Sequence, residues 1–226
     1  MKKLIALIAS VVMLGSIVRA DVGVNAGYTS KLVEFGTVTT AKSVYTAGAD
    51  ASWQSFNFSV LSYNSLEVNP FSAKLSRVDL TTGYTFFSTL ANATVGGTYI
   101  HFNNPGKFDF TGHWRPFASI GKDFWLVSGA YDTQSRLSNL EGKLYHAVPM
   151  GYGFNLVPSV YAGYTDVQDT LPKTVKAIKT NLGYAGATLG VNYKWLTVGG
   201  FYVRNLKDIK DSRNTTGWQT SAAYRF

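Results

Sequence analysis

Three histidines and one Ser-Asn pair are the residues in this sequence that could support hydrolysis. A hydrolytic site needs a nucleophile beside a general base, and a histidine next to a Ser-Asn or Ser-x-x-Asn pair would supply both. His101, His113 and His146 have no such neighbours, and Ser138-Asn139 stands in a predicted loop without a histidine beside it. The sequence therefore predicts that the protein is not an enzyme.

Metal and cofactor sites have equally little support. The histidines stand at unrelated spacings, cysteine is absent and few carboxylates are paired, so no ligand set is formed. Ser119-Ile120-Gly121-Lys122 matches the S-x-x-K pattern of penicillin-interacting enzymes, but it falls on a predicted strand and turn and no K-T-G follows. No catalytic residue, metal or cofactor is predicted.

The remaining chemistry is charge on the polar faces of predicted strands. The candidates for lining an interior are Asp50, Arg77, Asp79, Arg115, Asp132 and Arg136. Opposite charges that face a lumen can pair and fill it, or they can line a narrow pore whose field selects solutes. Both possibilities remain open, and both require strands that bring these residues to one side of a sheet.

The first twenty residues predict a cleaved signal peptide. Lys2 and Lys3 give a positive start, residues 4–15 are apolar and uncharged, and Val18-Arg19-Ala20 offers short side chains at a cleavage position. The apolar run is shorter than the ~20 residues that a spanning helix needs. We expect residues 1–20 to be removed and N-terminal sequencing of the exported protein to begin at Asp21. A membrane-embedded product that still began at Met1 would contradict this prediction.

Charge and cysteine content limit the kinds of protein that the mature chain can be. Removal of residues 1–20 from the 226-residue chain takes three of its 21 basic residues and leaves 206 residues of formal charge about +5. No cluster of Lys and Arg forms a nucleic-acid patch. An exported domain without disulfides must be held in another way, and a closed hydrogen-bonded barrel provides one.

Alternation with period two recurs along the mature chain in stretches of about ten residues, which is typical of β-strands. In residues 44–53 and 77–86, one face is apolar with aromatic ends, and the other is polar and rich in glycine. A soluble barrel would turn its apolar face inward, whereas a membrane barrel turns it toward lipid and carries aromatic rings at both interfaces. The aromatic ends of the stripes favour the membrane barrel.

The spacing of turns predicts an up-and-down antiparallel barrel of twelve strands. Short turns are predicted near residues 52–54, 87–89, 121–124, 152–155 and 193–195, and longer loops near 32–42, 64–73, 103–113, 136–142, 167–173 and 205–214. Short turns belong on the periplasmic side of such barrels. Residues 174–193 are long for one strand, so we expect a bulge near Tyr184 and Ala185; ten or fourteen strands are the alternatives.

The end of the chain resembles an assembly signal. Trp218, Thr220, Ala222, Tyr224 and Phe226 share one face of a terminal strand. A final Phe with an aromatic residue two positions earlier is similar to the signal that delivers bacterial outer-membrane barrels to the barrel assembly machinery. The resemblance implies that Tyr224 and Phe226 mark this chain for that machinery.

The opening also resembles a known group. Gly27-Tyr28-Thr29-Ser30-Lys31 is similar to the start of an uncharacterised family of proteobacterial outer-membrane proteins, over about the first forty mature residues. Glu34-Phe35-Gly36 departs from that pattern, in which an Arg precedes the Gly. The match brings no biochemical activity with it.

Two functions fit an integral barrel of the Gram-negative outer membrane. The first is a small porin-like channel for small polar or anionic solutes, which the basic charge and the glycine-rich polar face favour. The second is a structural or surface-interaction barrel whose loops contact lipopolysaccharide, a phage or a host. In both cases outer-membrane lipid and lipopolysaccharide are the expected surroundings, and nucleic acid is not an expected partner.

Overall fold

The computed structural model describes residues 21–34, 37–40, 43–65, 76–102, 112–167, 182–206 and 214–225. These ranges hold fifteen strands. They are β1 (Asp21–Thr29), β2 (Leu32–Glu34), β3 (Thr37–Thr40), β4 (Val44–Trp53), β5 (Phe56–Ser65), β6 (Ser76–Phe86), β7 (Asn92–Phe102), β8 (Gly112–Lys122), β9 (Trp125–Asp132), β10 (Leu137–Tyr145), β11 (Val148–Gly151), β12 (Phe154–Val167), β13 (Leu182–Tyr193), β14 (Leu196–Asn205) and β15 (Thr215–Arg225). No helix in the described ranges is long and apolar enough to cross a membrane.

Twelve of these strands form a closed antiparallel barrel. The ring runs β1, β4, β5, β6, β7, β8, β9, β10, β12, β13, β14, β15, and β15 pairs with β1 to complete it. The short strand β11 continues the line of β10 along β12, and β2 and β3 form a separate two-stranded sheet. Because closure leaves no open edge in the ring, every barrel strand has two hydrogen-bonded neighbours. The predicted twelve-stranded barrel is confirmed.

The outer face of the barrel carries apolar side chains. On β8, Trp114, Pro116, Ala118 and Ile120 are exposed, while the residues between them are half-buried. Aromatic rings collect at the two ends of this outer face. Tyr28 contacts Tyr45 and Trp218 at the loop end, and the chain of contacts Trp53–Phe56–Tyr84–Phe86 lies at the short-turn end. The outer surface therefore has an apolar band between two aromatic girdles.

The five short turns fall where the sequence predicted them, but one predicted loop is wrong. Residues 137–142, expected within a loop over 136–142, belong to β10, so Ser138-Asn139 lies on a strand. Polar composition was misleading here, because Asn139 and Glu141 face the interior and Leu140 faces outward with 58% of its surface exposed.

The bulge expected at Tyr184 and Ala185 is also wrong. The ladders of β13 with β12 and with β14 pass through both residues without a shift of register. Tyr184 points into the barrel, where its hydroxyl donates to Glu141 Oε2 at 2.8 Å. An inward-facing aromatic residue interrupts the alternation of outer apolar and inner polar residues. In the sequence, this interruption resembles a shift of strand register. Residues 174–181 lie outside the described residues.

Candidate functional site

The inner face of the barrel carries the charged residues. Strand pairing places Asp50 on β4, Arg77 and Asp79 on β6, Arg115 on β8 and Asp132 on β9 on the side opposite the apolar band. Arg136 differs from the expectation, since it lies in the turn between β9 and β10, exposed and with a φ of 52°.

Arg77 is the most enclosed of these charges, with 3% of its surface exposed. Its Nε and Nη2 donate to the two carboxylate oxygens of Asp79, both at 2.6 Å. Its Nη1 and Nη2 donate to Glu34 at 2.9 and 2.8 Å, and its guanidinium carbon lies 4.7 Å from the centre of the Tyr63 ring. One guanidinium thus binds two carboxylates and stacks on an aromatic ring.

A second cluster lies beside it on β8 and β9. Arg115 Nη2 donates to Asp132 Oδ2 at 2.9 Å, and His113 Nε2 lies 2.9 Å from the same oxygen. The other Asp132 oxygen accepts the backbone amides of Gln134 and Ser135 at 3.1 and 2.9 Å. These contacts hold Asp132 against the wall and fix the turn that follows β9.

Glu34 joins the two clusters, although no sequence pattern predicts it there. It ends β2 of the hairpin, and its carboxylate reaches Arg77 and also Arg115 Nη1 at 3.4 Å. Burial raises the pKa of Glu34, but the hydrogen bonds and charge of Arg77, followed by those of Arg115, outweigh it and hold the pKa below the ordinary value. Glu34 therefore stays ionised at neutral and mildly acidic pH.

The opposite side of the hairpin faces open space. A cavity of about 260 Å³ lies between the hairpin and the wall formed by β10 to β15. Its lining includes two basic residues and one acidic residue, Lys31, Lys143 and Glu141, together with Val33, Tyr161, Tyr184 and Gln219. Residues of β1, β2, β10, β12, β13 and β15 can share one cavity only inside the barrel, so this space is part of the lumen.

Aromatic rings on the inner face lie flat against glycines of the next strand. A Cβ atom on Gly163 would collide with the Tyr184 ring, one on Gly186 with Tyr161, and one on Gly96 with Phe117. The glycines let these rings lie along the wall and leave the centre of the barrel free. At Gly163 and Gly186, the close approach of a tyrosine ring explains the glycine.

The mouth at the short-turn end carries a third group of charges. Arg225 Nη1 donates to Asp21 at 2.8 Å and its Nη2 donates to Asp50 at 3.3 Å. The contact links the first and last strands at the seam of the barrel. Because 61% of the Arg225 side chain is exposed, we expect this pair to add little stability.

The described residues contain no cluster of three or more residues that could hold a metal ion. His101 lies on the outer face of β7 and stacks near Tyr99, whereas His113 lies inside. The candidate site is therefore the charged lumen itself. Phe226, the last residue of the expected assembly signal, is outside the described residues, and Tyr224 lies on the outer face of β15.

The closed ring, the apolar outer band and the polar inner face define an integral outer-membrane β-barrel. Among solved structures, the chain is similar to the KdgM porin, with a TM-score of 0.60, 9% identity, and coverage of 90% of this chain and 99% of that one. It is also similar to the NanC porin, with a TM-score of 0.57, 11% identity, and coverage of 91% and 100%.

At such low sequence identities, these similarities show a shared fold. A second structure of the KdgM porin, in complex with disordered oligogalacturonate, matches with a TM-score of 0.57 and 9% identity over 91% of this chain and 99% of that one. No family model matches the sequence, and no curated protein matches it significantly. The chain thus has the architecture of small outer-membrane porins.

Proposed function

We propose that the protein is a small channel that admits small polar or anionic solutes through the outer membrane. The observation that carries the proposal is the space beside the hairpin, where Lys31 and Lys143 face the lumen. Neither ammonium is within ion-pair distance of a carboxylate among the described residues. Their charge is available to a passing solute.

The pairing of the other lumen charges strengthens this assignment. Arg77 and Arg115 are bound to Glu34, Asp79 and Asp132, so their fields are largely neutralised within the wall. On the β10 to β15 side, the two lysines outnumber the one carboxylate that lines the same cavity, Glu141, and leave a net positive charge there. A solute with a carboxylate or phosphate group would be drawn to that side.

The polar groups around the lysines fit a hydroxylated anion. Thr188 and Gln219 offer hydrogen bonds, and Tyr161 and Tyr184 offer ring surfaces. The similarity to a porin solved with an oligogalacturonate, an acidic sugar chain, supports solutes of this class. We expect export by the cleaved signal at residues 1–20 and assembly through the barrel machinery.

Reversing the charge of Lys143 should weaken anion selectivity. In a salt gradient across a planar bilayer, K143E should lower the anion-to-cation permeability ratio by about fivefold, which corresponds to about 1 kcal/mol. A unit charge several ångströms from the path contributes about 0.5 kcal/mol in water; the substitution changes the charge by two units, with opposite effects on anions and cations, and salt screening reduces their sum. Lys194 lies in an exposed turn outside the lumen, so K194E is the matched control. Equal reversal potentials for wild type, K143E and K194E would rule out this path.

A further inference from the structure

Strand β2 of the β2–β3 hairpin lies in the interior of the barrel. It begins where β1 ends, and its residue Glu34 contacts Arg77 on β6 and Arg115 on β8. In the ring of twelve, β8 stands five positions from β1, which is close to the opposite wall. Val33, next to Glu34, lines the cavity on the other side. Strand β2 therefore lies in the lumen between the charged clusters and this cavity.

The described contacts hold this hairpin at two places. At its root, the Ser30 amide donates to the Trp218 carbonyl at 2.9 Å, and the Trp218 amide donates to Ser30 Oγ at 2.9 Å. Its two strands pair with each other in a sheet separate from the barrel. Among the hairpin residues whose side chains the structure describes, 31–34, the ion pairs to the wall are made by Glu34. Bidentate carboxylate–guanidinium bonds are among the strongest and most directional polar contacts in proteins.

Glu34 also decides the charge of the wall that it touches. Arg77 and Arg115 face Asp79 and Asp132 on the barrel itself, which balances two positive charges with two negative ones. Glu34 adds a third carboxylate, and it reaches the wall only because the hairpin is folded inward. Moving the hairpin away would expose guanidinium groups to the lumen at the same time as it widened the bore.

We propose that Glu34 fastens the β2–β3 hairpin across the lumen and thereby sets both the width of the channel and its charge selectivity. Solutes then pass on the side of Lys31 and Lys143, while the side of Arg77 and Arg115 is closed. Glu34 is a positioning residue, because it acts through the hairpin rather than on the solute. The effect on channel width and selectivity rests on the proposed channel function. The docking of the hairpin can be tested without measuring conduction.

The docking test uses the absence of cysteine from the chain. Val33 is half-buried on the hairpin, so V33C provides a single thiol for a membrane-impermeant maleimide on the barrel folded in vesicles. In the E34Q background, labelling should be about tenfold faster, since charge-assisted bonds to two guanidiniums are lost. The control is E141Q, which removes a lumen carboxylate from β10 and leaves the hairpin anchor intact.

The same variants separate width from charge in single-channel recordings. E34Q should raise unitary conductance and shift the reversal potential toward anions, whereas E141Q should shift the reversal potential without widening the channel. Labelling rates of V33C are expressed per folded barrel, and the folded fraction is measured by heat modifiability in electrophoresis. A folding defect in any variant is therefore visible. Equal labelling rates of V33C in the wild-type, E34Q and E141Q backgrounds would overturn the proposal. Faster labelling in E34Q with no conductance in any variant would retain the anchor and overturn the channel.

Discussion

Replacing Leu80 with arginine should destabilise the folded barrel by about 2 to 4 kcal/mol, because a charge near the middle of the lipid-facing band must leave water. Leu80 stands at the centre of β6 between Val60 and Tyr99 on the outer face, with 40% of its surface exposed. Denaturant midpoints of the protein folded into lipid vesicles would measure the loss.

Thr81 provides the matched control on the same strand. Its side chain points inward, where its hydroxyl lies 2.9 Å from that of Thr98. T81R places the new charge in the wet lumen and removes one neutral hydrogen bond, so it should cost about 1 kcal/mol or less. Equal losses at the two positions, or a wild type that folds without lipid or detergent, would show that the two faces are assigned wrongly.

The second large effect is expected from the loss of Arg77. R77M should destabilise the barrel by about 3 to 5 kcal/mol, since removing one partner leaves buried carboxylates without their counter-charge. Asp79 and Glu34 would both lose their shortest bonds. The same vesicle unfolding assay applies.

Two controls show whether the loss of stability in R77M comes from carboxylates left without a counter-charge. R225M removes an arginine whose side chain is 61% exposed at the mouth, and it should cost less than about 1 kcal/mol. In a D79N background, R77M should lower the free energy of unfolding clearly less than in wild type, because the Asp79 carboxylate is no longer left without a counter-charge. An additive double variant would mean that the cost comes from packing of the arginine stem rather than from charge.

The barrel could be predicted because its signal repeats. Period-two alternation assigns each strand two faces without knowledge of its neighbours, and the short turns separate those strands at nearly regular spacing. Two predictions failed where inner-face residues resembled something else. Tyr184 looked like an outward aromatic residue at a register change, and the polar residues before Lys143 looked like a loop.

The hairpin and its anchor could not be predicted in this way. The sequence predicts a longer loop over residues 32–42, but nothing in it predicts that Leu32, Val33 and Glu34 lie in the lumen. Glu34 lies 43 residues from Arg77 and 81 from Arg115, and no local pattern encodes contacts at such separations. The one local sign was an acidic residue beside Phe35-Gly36, at the departure from the family pattern.

The central claim is that the lumen conducts, and single-channel recording of the wild-type protein in a planar bilayer tests it most directly. The protein is first shown to be folded by heat modifiability. We expect discrete conductance steps with a reversal potential on the anion side in a salt gradient. Folded protein that inserts and gives no conductance steps would contradict the channel and favour a structural or surface-interaction barrel.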